Sequence, residues 1–204
     1  MQLKSPTTGN LLKIGITGGI GSGKTVVSRI FKVLGIPLYN ADERAKWILA
    51  NNEEVKEGLL QLFGKESFQN NQLNRQYISQ QVFNDKAKLE KLNALVHPQV
   101  GADFERWLEG KQKFPYILKE AALLFEAGSY KGLDKIITVY APLELRIKRV
   151  LERDPHRNEE GIRKIMKEQM DEEEKMKRAD YIIYNDEEKM LIPQVLKLHE
   201  LFQN

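Results

Sequence analysis

The stretch GITGGIGSGKTVVSRIF, from Gly15 to Phe31, constrains this chain more than any other. It places five glycines within nine residues and then turns apolar with helical spacing. Glycine gives up more backbone freedom on folding than any other residue, so a run this dense belongs where the chain needs positive φ or a close approach. Counted from Gly18, the pattern is Gly-x4-Gly-Lys-Thr, the phosphate-binding loop, with an apolar strand before it and a helix after it. Backbone N–H groups of such a loop converge on an anion where side chains would obstruct them. The helix starting near Lys24 turns its positive end to the same place. The expected nucleotide site therefore runs through Gly18, Gly19, Ile20, Gly21, Ser22, Gly23, Lys24, Thr25 and Val26. Lys24 serves the β- and γ-phosphates and the Thr25 hydroxyl ligates Mg2+. The dinucleotide fingerprint Gly-x-Gly-x-x-Gly is absent, since neither Gly19-x-Gly21 nor Gly21-x-Gly23 has a glycine three places on.

Five β-rich runs punctuate the chain at 11–17, 36–41, 115–120, 135–141 and 181–185, with helical spacing between them. That alternation predicts an α/β fold with a mostly parallel sheet, its central strands covered on both faces. Val26, Val27, Ile30, Phe31 and Leu34 share a helical face that Gly35 ends. The gap from 42 to 114 is far longer than one crossover helix requires. It predicts an inserted helical subdomain, bounded at about 53–112, with Val55, Leu59, Leu62 and Phe63 on one face and Leu89, Leu92, Leu95 and Val96 on another. The polar run 68–76 interrupts it, with turn chemistry at Asn70-Asn71. Pro142 suits the first turn of a helix running to about Arg153. DPHRN (154–158) breaks it, and a further helix is expected to about Arg178, with DEEEKMKR (171–178) as a solvated face.

Several function classes fall away. The chain has no cysteine, which removes disulfides, thiol catalysis and Cys-type zinc sites. His97, His156 and His199 are too scattered for a metal cluster. A net charge of +3, with both signs interspersed, gives no stripe for nucleic acid but suits a small anionic substrate. No apolar run is long enough for a membrane span and the N-terminal segment has no signal-like core, so a cytoplasmic protein is expected. Asn-Lys-x-Asp and Asp-x-x-Gly, which a guanine-nucleotide switch needs, do not occur. The third strand ends in Lys119-Glu120, a carboxylate but not the Asp of a motor ATPase.

A small-molecule kinase remains the leading class, with a regulatory nucleotide binder behind it; the residues alone leave the acceptor open. Asp42, just after the second strand, is either a carboxylate for the acceptor or a helix N-cap. Arg146, Arg149 and Arg153 share one helical face, either a lid over phosphates or a solvated basic surface. Gln169 interrupts the apolar stripe of Ile162, Ile165, Met166 and Met170, which suggests a buried hydrogen bond or a ligand contact.

Taken together, these residues resemble the dephospho-CoA kinase family over nearly the whole chain. The likeness is carried by TGGIGSGKT, by Asp42 after the second strand, by Leu73, Arg75, Val82 and Phe83, and by His97-Pro98. It continues through Leu124-Phe125-Glu126, Arg149 and Arg153, and Gln169, Lys175, Ala179, Asp180 and Asn185. Asn40 stands where the family has a first Asp, and Glu120 where it often has Asp. The resemblance implies transfer of the γ-phosphoryl of ATP, with Mg2+, to the ribose 3′-hydroxyl of dephospho-CoA. It implies Asp42 as the proton acceptor, Lys24 and Arg149 as catalytic partners, and Arg153 and Asn185 on the ATP side. Asp42, Arg75 and His97 would contact the acceptor, in a helical CoA-side subdomain. A lid at about 149–169 and the strand order 2-3-1-4-5 of nucleotide kinases complete the expectation.

Overall fold

A computed structural model of the chain describes residues 11–83 and 85–203. The residues fall into two compact units, one made of the chain up to Asn40 together with Leu108 onward, the other of Ala41–Trp107.

The first unit is a parallel sheet with helices on its faces. Its strands are β1 (Leu12–Thr17), β2 (Leu38–Asn40), β5 (Tyr116–Glu120), β6 (Lys135–Tyr140) and β7 (Tyr181–Tyr184), numbered to leave β3 and β4 for a hairpin in the second unit. They lie side by side as β2-β5-β1-β6-β7, all parallel, with Ile14 opposite Leu118 and Ile16 opposite Ile137. Setting the hairpin aside, this is the order 2-3-1-4-5. Every residue of β5 is buried, as a strand covered on both faces requires. The core joins Ile14, Ile16, Tyr116, Leu118, Ile137, Val139 and Ile183 to Val27 and Phe31 of α1 (Lys24–Val33) and to Val195, Leu198 and Phe202 of α9 (Leu191–Gln203). Val26, on the expected apolar face of α1, is instead about half exposed.

α6 (Leu143–Arg153) begins directly after Pro142. The helix expected to run on to Arg178 is two helices, α7 (Glu159–Lys167) and α8 (Glu172–Arg178). Each starts on its own side-chain cap: Asn158 accepts from the Gly161 N–H, and Asp171 from those of Glu173 and Glu174. A capping Asp at 171 competes with continued helix, which is why the apolar spacing overran the break.

The second unit is helical, with α2 (Ala41–Asn51), α3 (Glu53–Phe63), α4 (Arg75–Phe83) and α5 (Lys86–Leu108). Asn52 caps α3 through the Val55 N–H, and Gly64 at φ 86° ends it. Val55, Leu59 and Phe63 pack with Ile48, Ile78, Leu92 and Val96. A Cβ at Gly58 would lie 2.5 Å from Leu95, so the glycine sets how closely α3 approaches α5. The polar interruption is a small hairpin, β3 (Phe68–Gln69) and β4 (Gln72–Leu73), turned by Asn70 and Asn71, both at positive φ.

Candidate active site

The loop after β1 has the conformation that its glycines permit. Gly23 is the N-cap of α1 at φ 90°, and no side chain caps that helix. The first N–H groups of α1 therefore face outward without side-chain partners, a ready site for an anion. Ser22 N–H donates to the Gly19 carbonyl at 3.0 Å, closing the turn before it.

β5 lies beside β1 in the sheet, and its last residue, Glu120, is 1 % exposed. Thr25 Oγ1 donates to Glu120 Oε1 at 2.7 Å, and Lys24 Nζ is 3.7 Å from the same oxygen. Glu120 Oε2 is buried with no hydrogen-bond partner among the described residues. A buried carboxylate oxygen left unsatisfied is expensive unless something else binds it. Carboxylate and hydroxyl oxygens at the mouth of a phosphate loop are the hard donors that Mg2+ prefers. The donor set fits that ion. Glu120 was visible in the sequence as the carboxylate ending the third strand of the sheet, but its neighbourhood to Thr25 comes only from pairing β5 with β1.

A second loop is tied to the first. Asn185, just after β7, donates from Nδ2 to the Ser22 carbonyl at 2.8 Å and from its N–H to Tyr140 O. A Cβ at Gly23 would collide with Asn185 Nδ2, so glycine, which φ 90° favours, also leaves room for the Asn185 amide against the loop. Arg149 donates to the Asn185 carbonyl at 3.0 Å and to Glu187 at 3.2 Å. Glu187 itself sits at φ 69°, rare for a residue with a side chain, in the loop that Asn185 opens. Arg149 thus braces this loop. Arg153 is 64 % exposed and pairs with Asp154 through two hydrogen bonds of 3.2 and 2.8 Å. The Arg153 guanidinium holds the Asp154 carboxyl below its ordinary range. Gln169 accepts the Ile20 N–H at 2.9 Å, so the polar break in the stripe is a hydrogen bond to the loop.

The other expected residues belong to the second unit. Asp42 lies two residues beyond Asn40, the end of β2, and is the second residue of α2 rather than its N-cap. A carboxylate there favours the positive end of that helix. Arg75, the first residue of α4, is exposed and reaches the Lys46 carbonyl, one turn on from Asp42, at 3.5 Å. His97 lies inside α5, next to Pro98; it is exposed, yet desolvation by the protein around it still lowers its imidazole pKa below 6.5. Sequence reasoning passed over Arg44, which grips Asp103 with two bonds of 2.8 and 2.6 Å and covers Trp47 at 4.6 Å, locking α2 to α5.

The comparisons with known proteins agree with one another. Residues 12–190 match the model of the dephospho-CoA kinase family. A dephospho-CoA kinase of Bacteroides fragilis is 41 % identical over 187 residues, spanning 92 % of this chain and 91 % of that one. A solved structure of a Thermus thermophilus protein superposes with a TM-score of 0.85 at 33 % identity, covering 95 % of this chain and 98 % of its own. The solved dephospho-CoA kinase of Campylobacter jejuni gives 0.69 at 28 %, covering 94 % and 96 %.

Proposed function

The chain belongs to the dephospho-CoA kinase family, and on that premise we propose that it transfers the γ-phosphoryl group of ATP to the ribose 3′-hydroxyl of dephospho-CoA, the last step of coenzyme A synthesis. The observation that carries this reading is the buried Glu120 carboxylate held between Thr25 and Lys24 at the uncapped start of α1. That arrangement suits a triphosphate with its cation.

The 3′-hydroxyl oxygen bonds to Pγ as the bond from Pγ to the bridging oxygen breaks, ADP leaves, and the hydroxyl proton passes to Asp42. The protein's work is to position and neutralise, since a loose phosphoryl transition state asks for little covalent chemistry. Those backbone N–H groups of the Gly18–Val26 loop that are not already bonded, as Ile20 is to Gln169 and Ser22 to Gly19, would cradle the phosphates, and Lys24 would follow the charge to the γ end. Magnesium bound by Thr25 with Glu120 would supply charge neutralisation at the β- and γ-phosphates. Asn185, braced by Arg149, would border the adenine. On closure of the 149–169 lid, Arg149 and Arg153 would turn to the phosphates and stabilise the charge spreading over them. Arg75 and His97 are assigned to the acceptor, with desolvation favouring the neutral form of the His97 imidazole. Among the described residues no helix is long and apolar enough to cross a membrane.

The test is ADP release from Mg-ATP with dephospho-CoA, adenosine, AMP, uridine or pantothenate as acceptor. Stimulation by dephospho-CoA alone, with a 3′-phosphorylated product, is expected. Stimulation by another acceptor would leave a kinase and overturn the substrate; ATP binding without turnover would leave a nucleotide switch.

A further inference from the structure

Lys175 lies in DEEEKMKR, a run whose composition reads as a solvated helix face, and yet its side chain has 0 % exposure. Its Nζ stands 3.4 Å from Glu172 Oε1 and 3.6 Å from Glu126 Oε1. Those two carboxylate side chains are themselves only 14 % and 18 % exposed. An ammonium taken out of water is costly unless it is paired, and here one cation serves two carboxylates.

Both partners lead to the phosphate loop. Glu172 Oε1 is 3.3 Å from Arg146 Nη1, and Arg146 is 8 % exposed because it lies against the loop. A Cβ at Gly19 would collide with Arg146 Nη1 and come within 2.5 Å of Glu172 Oε1; one at Gly21 would collide with the Arg146 carbonyl. Glu126 Oε1 accepts the Met170 N–H at 2.6 Å, which fixes the backbone next to Gln169, and Gln169 accepts the Ile20 N–H. Two chains of contacts thus run from Lys175 to the turn Gly19–Gly21, one through Glu172 and Arg146, the other through Glu126 and Gln169.

We propose that Lys175 is a positioning residue, which orders Glu172 and Glu126 and, through Arg146 and Gln169, fixes the Gly19–Gly21 turn of the phosphate loop for transfer. The inference rests on reading that loop as the donor site. Removing one member of a buried ion pair leaves uncompensated charge, so a role confined to stability predicts for Lys175→Met a lower unfolding midpoint and a loss of rate that only follows the fraction unfolded. A role in placement predicts a loss of rate, because a shift of about 1 Å at a reacting centre costs on the order of 10²-fold.

The experiment compares wild type and Lys175→Met by kcat and KM for both substrates, Mg-ADP affinity, urea unfolding, and residue-resolved exchange of the Ile20 amide. In the folded variant kcat is expected to fall by about 10–100-fold with KM for dephospho-CoA unchanged. Mg-ADP should bind about tenfold more weakly, because the cradle is no longer preorganised, and the Ile20 amide should exchange faster. Wild-type kcat with wild-type Ile20 exchange would overturn the proposal, as would a loss of rate that merely follows the fraction unfolded. Should Lys175→Met fail to fold, Glu172→Gln keeps the shape and removes the charge; the same changes in kcat, Mg-ADP affinity and Ile20 exchange are expected of it, and wild-type values would overturn the proposal. If the wild type does not act on dephospho-CoA, the acceptor assignment fails by itself, and Mg-ADP affinity with Ile20 exchange still decides the role of Lys175.

Discussion

The base and the tip of the segment from Arg146 to Arg178 are built from the same residue types and are suited to opposite tasks. At the base, Arg146 and Lys175 both pair with Glu172, and none of the three side chains is more than 14 % exposed. At the tip, Arg153 and Arg157 are 64 % and 39 % exposed, and both pair with Asp154 next to solvent. Exposed pairs are worth little and are screened by salt, so they can be exchanged for other partners at small cost. A buried pair stripped of one member leaves an uncompensated charge, so the base resists rearrangement. The contrast teaches that one segment can offer exchangeable contacts at one end because it is fastened at the other.

That contrast can be sharpened or broken by experiment. Asp42→Asn lies outside both regions and should separate chemistry from stability. Turnover is expected to fall by about 10²–10⁴-fold with ATP binding kept, while loss of the charge at the start of α2 should cost less than about 1 kcal/mol in unfolding; a wild-type rate would remove Asp42 as the proton acceptor. Arg146→Ala, at the base, should lower both quantities, with about 3 kcal/mol lost in urea unfolding as Glu172 loses a partner and the loop its backing. Arg153→Ala, at the tip, should change stability by less than about 1 kcal/mol, an effect that fades further in high salt. If Arg153→Ala proved as damaging to stability as Arg146→Ala, the distinction between the two ends would fail.

The smallest expected effect is a dependence on pH. The folded-state pKa of Asp154 is lowered, chiefly by its hydrogen bond from Arg153 and then by the charges of Arg153 and Arg157. Its contribution to stability is therefore present above the ordinary value of 3.8 and is lost as pH falls through the lowered one. Carboxyl NMR titration should place Asp154 below 3.8, and Arg153→Ala should move it back up.

Much of the fold was legible because short-range physics wrote it. The glycine spacing, the five apolar runs and Pro142 each specify their own stretch of backbone, and the strands appear within a few residues of the runs. The second strand is shorter than its run, Leu38–Asn40 within 36–41, and Pro37, with no N–H for a ladder, stands just before it. What spacing could not supply was which residues meet across the chain. Glu120 and Thr25 are 95 positions apart and meet only because β5 pairs with β1. Lys175 was hidden for a related reason: it lies in a run rich in charge, DEEEKMKR, while its partners in space include Glu126, from the segment after β5. Asp42, Arg75 and His97 had no spacing argument behind them strong enough to assign a role, and their roles still rest on the family likeness.

The position of β1 at the centre of the sheet has a consequence for synthesis. Its first partner strand, β5, begins about 100 residues downstream, with Leu12 opposite Tyr116, and β6 follows later still. At about 5–20 residues per second, the apolar edge of β1 exists for roughly 5–20 s before any chain that can cover it has been made. The strand that carries the phosphate loop is thus the first part of the sheet to be built and the one that waits longest for its partners, so slowed translation through residues 41–115 should raise aggregation of the nascent chain more than slowing after residue 140.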